Sequence, residues 1–124
     1  MKILEAITRL DELQPNSFTA EEKMRWLEQL DQELWREVVQ THEGGSDIPE
    51  PDYNQEAAEE LELLVKKPYD SIYLHWMQSK IDYALGEFGR FNNSNAAFEA
   101  DRMAWRLWYH RNNRPLERAR GCYF

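Results

Sequence analysis

Apolar residues recur along this chain at steps of three and four, the spacing that places them on one face of a helix. Ile3, Leu4, Ile7, Leu10 and Leu13 predict a short first helix, ended at Gln14-Pro15-Asn16 because proline disfavours helical geometry in the residue before it. Thr19-Ala20-Glu21-Glu22 matches a capping box, in which a threonine hydroxyl and a glutamate carboxylate satisfy free backbone N–H groups. A second helix is therefore expected over 20–41, with Met24, Leu27, Leu30, Leu34 and Val38 facing the core, ending close to Gly44-Gly45. From Glu43 to Glu62 the pattern breaks into Gly-Gly-Ser, Pro49, Pro51 and an acidic run. Residues 46–62 read as a flexible acidic loop, with a helical turn or two over 56–64 before an extended stretch at 64–67.

The chain is organised around 64–110, which holds three of its five tryptophans. A helix is expected to begin at Pro68, since proline suits a first helical turn and Asp70 sets a negative charge at the positive end. Tyr69, Tyr73, Met77, Ile81, Leu85 or Ala84, Phe88 and Phe91 supply its buried face, with Ser71, His75, Gln78, Asp82 and Arg90 largely on the other side. Run through to Phe91, it would be about 24 residues and roughly 36 Å long. Gly86 and Gly89 then mark a bend or a close backbone approach. Asn92-Asn93-Ser94-Asn95 is expected to be the turn, because such side chains compete for backbone hydrogen bonds. A further helix over 94–112 carries a narrow polar stripe of Glu99, Arg102, Arg106, His110 and Asn113. Phe98, Met103, Ala104, Trp105, Leu107, Trp108 and Tyr109 cover the rest of its circumference. A helix that apolar is central to its own domain or is covered by a second molecule. The predicted fold is all-α, a small bundle of about four helices with a long antiparallel hairpin.

At 124 residues the chain suits a single domain, too short for a large cofactor plus a separate substrate domain. Charge divides unevenly: residues 1–63 hold 5 Lys or Arg against 17 Asp or Glu, a net −12, and residues 64–124 hold 10 against 6, a net +4. Such a dipolar molecule suits head-to-tail packing of copies. The tail at 111–124 is basic, through Arg111, Arg114, Arg118 and Arg120. With the aromatic residues before it, this gives a candidate subunit or partner interface of Trp105, Trp108, Tyr109, Arg111, Arg114 and Arg118. Cys122 is the only cysteine, so no intrachain disulfide and no C-x-x-C motif exist. No run of eighteen apolar residues is present, and Glu5 interrupts what a secretory signal would need, so neither export nor membrane insertion is expected.

Candidate chemistry changes the picture little. His42, His75 and His110 belong to no H-E-x-x-H or C2H2 spacing, and there is no G-x-S-x-G, no phosphate-binding glycine loop and no base near Cys122. No catalytic, cofactor or metal residue is assigned, and no enzyme activity is expected. The enzyme class weighed against this is an all-helical nucleotide pyrophosphohydrolase, whose metal site needs E-E-x-x-E and a later E-x-x-D. Glu21-Glu22 is followed by Arg25, Glu59-Glu60 by Leu63, and Glu28-x-x-Asp31 stands alone. A net charge of −8 opposes free binding of nucleic acid, leaving at most transient DNA contact by the arginine tail.

The strings RLDELQPNSFTAEEKMRWLEQLD, THEGG and LLVKKPYDSIYLHWMQSKIDYALGEFGRFNNSNAAF, with the tryptophan-rich helix after them, resemble a family of small tailed-phage and prophage proteins, the head-tail connector or head-completion adaptor proteins. The resemblance covers nearly the whole chain except residues 46–62, and Lys66-Lys67 departs from the more apolar residues of that family. It implies a helical virion protein, assembled in the bacterial host cytoplasm. Such a protein forms a ring of about a dozen copies with itself beneath the portal protein, extends the DNA channel and docks a tail-side adaptor. It implies no enzyme activity and transfers no site residue; no cofactor and no membrane are expected from the sequence itself. The alternative is a small prophage-encoded interaction or packaging protein working as a monomer or dimer.

Overall fold

The structure is a computed structural model in which residues 1–116 are described. It is 66% helical, with four α-helices and no strands among those residues. The helices are α1 (Ile3–Leu13), α2 (Ala20–Glu37), α3 (Ser71–Ala84) and α4 (Phe88–Asn112), with single 3-10 turns at Val39–Thr41, Gly45–Asp47 and Ala58–Glu60. Ile3, Ala6, Ile7 and Leu10 bury one side of α1, whereas Leu4 and Leu13 stay exposed. The N–H of Glu22 donates to the Thr19 hydroxyl at 3.1 Å, the cap expected of α2 and worth about 1 kcal/mol. Leu27, Leu30 and Leu34 fill the core from α2, and Asp31 sits among them on the same buried face. α2 stops at Glu37 and tightens into a 3-10 turn before Gly44, where φ is +83°. A side chain at Gly45 would lie 2.1 Å from the Val39 carbonyl oxygen, so this close approach needs glycine.

The acidic segment 46–62 holds only 3-10 turns and runs back along α2. Trp35 Nε1 donates to the Ile48 carbonyl at 2.8 Å, Gln32 Nε2 to the Pro51 carbonyl at 3.0 Å, and the Tyr53 N–H donates to Glu28 Oε2 at 2.8 Å. Successive turns of α2 thus hold successive residues of the loop, and Tyr53 and Ala58 are buried beneath it. The chain then passes the start of α1, where Ile3 N–H donates to the Leu61 carbonyl and Leu63 N–H to the Met1 carbonyl.

The expected hairpin is present, but its boundaries differ from the sequence reading. α3 starts at Ser71, not Pro68, and ends at Ala84, so the turn falls at Gly86 and not at Asn92–Asn95. Gly86 has φ +72°, its N–H donates to the Tyr83 carbonyl at 3.1 Å, and the Glu87 N–H reaches the Asp82 carbonyl at 2.9 Å. These two bonds make a Schellman ending, which satisfies carbonyls that the helix end leaves open. The Asn-rich stretch lies inside α4, where Asn92 and Asn93 are exposed and Ser94 Oγ donates to Asp82 Oδ2 at 3.0 Å. Packing against α3 outweighs the weak helix propensity of those residues. Ring pairs set the antiparallel register: Tyr69 with Trp108 at 5.7 Å, Trp76 with Phe98 at 4.8 Å and Tyr83 with Phe91 at 5.4 Å.

Candidate functional site

Of the six residues proposed as an interface, the structure turns two inward. Trp105 is 3% exposed and Tyr109 8%, and both belong to the core, where Tyr109 lies edge-on to His42 at 5.1 Å. Their assignment to a partner surface is corrected: they serve the fold. Trp108 is 38% exposed, and Arg111 and Arg114 are exposed. The Arg114 carbonyl accepts the Glu43 N–H at 2.7 Å, which ties the start of the basic tail to the segment just after the Val39–Thr41 turn. Arg118 lies outside the described residues.

The polar stripe of α4 reaches solvent only in part: Glu99 and His110 are exposed, and Asn113 is half-buried. Arg102 and Arg106 are half-buried, and Arg102 approaches Glu37 and Glu99. Among the apolar residues that α4 turns outward are Ala96, Ala100, Met103, Ala104 and Leu107, with Met103 58% and Leu107 52% exposed. A second apolar surface forms at the hairpin tip, where Tyr83, Leu85 and Phe88 are each more than 60% exposed and the rings of Tyr83 and Phe88 lie 6.2 Å apart. Single exposed apolar residues are ordinary on a small protein, but neighbours in a continuous strip mark a contact surface.

The densest polar cluster is buried. Asp31 is wholly inaccessible and accepts three hydrogen bonds: from the Tyr53 hydroxyl, from the Tyr73 hydroxyl at 2.7 Å and from the Leu64 N–H at 3.1 Å. Tyr73 in turn accepts the Val65 N–H at 2.6 Å. One carboxylate thereby joins α2, α3, the loop and the 63–66 stretch. Burial pushes the Asp31 carboxyl up to about 6, partly opposed by the two tyrosine bonds, the Leu64 bond and the charge of Lys66. Burial and the nearby carboxylate push both tyrosine hydroxyls far above their ordinary range, so each remains a donor. Glu28 and Asp31, the one E-x-x-D spacing weighed as catalytic, thus use both carboxylates to hold the loop.

The histidines have separate settings. His42 is buried and its Nδ1 lies 2.6 Å from the Val38 carbonyl oxygen, which requires Nδ1 to donate and leaves Nε2 facing His110 Nδ1 at 3.4 Å. His75 Nδ1 meets Asp101 Oδ2 at 2.6 Å, and Ser71 Oγ donates to the same oxygen at 3.1 Å. Serine and histidine therefore both address the carboxylate, whereas a nucleophilic serine needs the imidazole between them. Asp82, expected on the solvent side of α3, is buried and accepts from Gln14 Nε2 at 3.0 Å and from Ser94. Among the described residues no three His, Cys, Asp or Glu side chains come together as a metal-binding group, and no helix is long and apolar enough to cross a membrane. No protein-family model matches the chain, and no curated protein or solved structure matches it significantly.

Proposed function

We propose that this chain is a structural protein of a tailed phage or prophage particle, a head-tail connector that assembles with copies of itself beneath the portal and presents a surface to the tail. The resemblance of its strings to that family motivates the reading, and the observation that carries it is the pair of exposed apolar surfaces on the long hairpin. The charge division adds to it. A basic C-terminal part and an acidic N-terminal part suit a heterologous contact between neighbours, which closes into a ring when the rotation permits. On this reading the protein resides in the virion, meets DNA at most transiently and catalyses nothing. A prophage interaction or packaging protein acting as monomer or dimer is the second reading, favoured by the shortness of the α4 strip.

The portal separates them. Co-sedimentation with the cognate portal assembly, with ring formation followed by electron microscopy, is expected to show binding that weakens at high salt and in Arg114→Glu. Screening acts over about 10 Å at 0.1 M salt. Absence of association with portal or tail components at any salt concentration overturns the connector reading. Incubation with nucleoside triphosphates and magnesium is expected to yield no turnover, and turnover abolished by Glu28→Gln would restore the enzyme class.

A further inference from the structure

We infer that the outward strip of α4 is a homodimer surface, and that it pairs antiparallel with the same strip of a second copy. Ala96, Ala100, Met103, Ala104 and Leu107 fall within an arc of about 100° on a helix of 3.6 residues per turn. All five are exposed, and three are alanines, which let a second helix approach closely.

The flanking charges choose the partner and its direction. Glu99 and Arg106 lie seven residues apart, two turns along the same edge of the strip. Among the described residues Glu99 has only a 3.5 Å approach to Arg102, and Arg106 makes no ion pair. An antiparallel pair related by a two-fold axis near Met103 brings each edge against its own equivalent in reverse. Glu99 of each copy then faces Arg106 of the other, twice by symmetry. In a parallel pair the same two charges would face the far edge, where Asp101 is half-buried and already held by His75 and Ser71. Self-complementary charge around an apolar strip is what an isologous contact requires. The inference uses the same α4 strip as the connector reading but concerns the free protein, and because every measurement below omits the portal the two fail separately.

Sedimentation of the full chain is expected to show a concentration-dependent monomer–dimer equilibrium. Leu107→Lys is expected to leave a monomer with unchanged circular dichroism and melting temperature, since Leu107 is 52% exposed and lies outside the core cluster. Glu99→Lys and Arg106→Glu are each expected to weaken dimerisation about tenfold or more, because two attractive pairs become repulsive. The double variant Glu99→Lys/Arg106→Glu reverses both charges and is expected to return to within about threefold of the parent. In a Cys122→Ser background, a short bis-maleimide is expected to cross-link Met103→Cys, at the two-fold axis, and not Ala96→Cys. Cross-linking of both positions means a parallel pair and overturns the inference, as does cross-linking of neither. A chain that stays monomeric at millimolar concentration, or a charge-swapped double variant no better than its parents, also overturns it.

Discussion

The Asp31 cluster and the outward strip of α4 are opposite uses of a residue out of place. On α2 a carboxylate occupies a core position, and every hydrogen bond it receives comes from a different part of the chain. On α4 apolar side chains such as Met103 and Leu107 are more than half exposed and lie outside the core cluster. The first arrangement costs desolvation and fixes the placement of the loop; the second adds little to the subunit's own core and leaves an apolar surface in solvent. A buried polar group is tolerable only when all its partners are present, whereas an exposed apolar one becomes useful only when a partner arrives.

The largest expected effect breaks the first region. Asp31→Leu leaves the Tyr53 and Tyr73 hydroxyls and the Leu64 N–H without their acceptor, and is expected to cost about 3–5 kcal/mol in urea unfolding. Tyr73→Phe tests the same centre, since it removes one donor to Asp31 and leaves the Val65 N–H unpaired.

A pH series sharpens the comparison. The folded Asp31 holds its proton up to about pH 6, while the unfolded chain releases it near 3.8. Between these values the native state binds more protons, so stability from this group is greatest below pH 4 and is lost as pH rises through 6. The amount is about 3 kcal/mol from the displacement of the carboxyl. Asp31→Asn lacks this titration, so its destabilisation relative to the parent is expected to shrink between pH 4 and pH 7. A gap that widens over that range contradicts the sign.

The hairpin turn comes next. Gly86→Ala places a side chain at φ +72° and is expected to cost about 1 kcal/mol. Thr19→Ala should lose a similar amount through the helix cap. Thermal unfolding with circular dichroism reads both.

The fold was legible where one residue type has one strong local preference. Thr19 caps α2, Pro15 ends α1, and leucines at steps of three and four mark the face of α2 that is buried. The reading failed where tertiary packing decides. Asn92 to Asn95 prefer turns in isolation, but Gly86 offered the cheaper reversal, and the asparagines could stay in the helix with side chains in water. Trp105 and Trp108 looked alike in a helix that was apolar nearly all round. Periodicity could not say that Arg102 and Arg106 would lie half-buried while Met103 and Leu107 pointed out. The Asp31 centre left no local trace because its partners lie 22, 33 and 42 residues away. An aspartate among the core leucines of an amphipathic helix was the one available signal, together with Tyr53 inside an otherwise acidic loop.

The most direct test of the contrast is urea unfolding of Met103→Ser/Leu107→Ser at low micromolar concentration, where association contributes least. Stability is expected to stay within about 0.5 kcal/mol of the parent, the range of surface substitutions, with self-association lost at higher concentration. A loss of several kcal/mol, comparable to that of Asp31→Leu, would show that the strip holds the subunit together and would contradict this expectation.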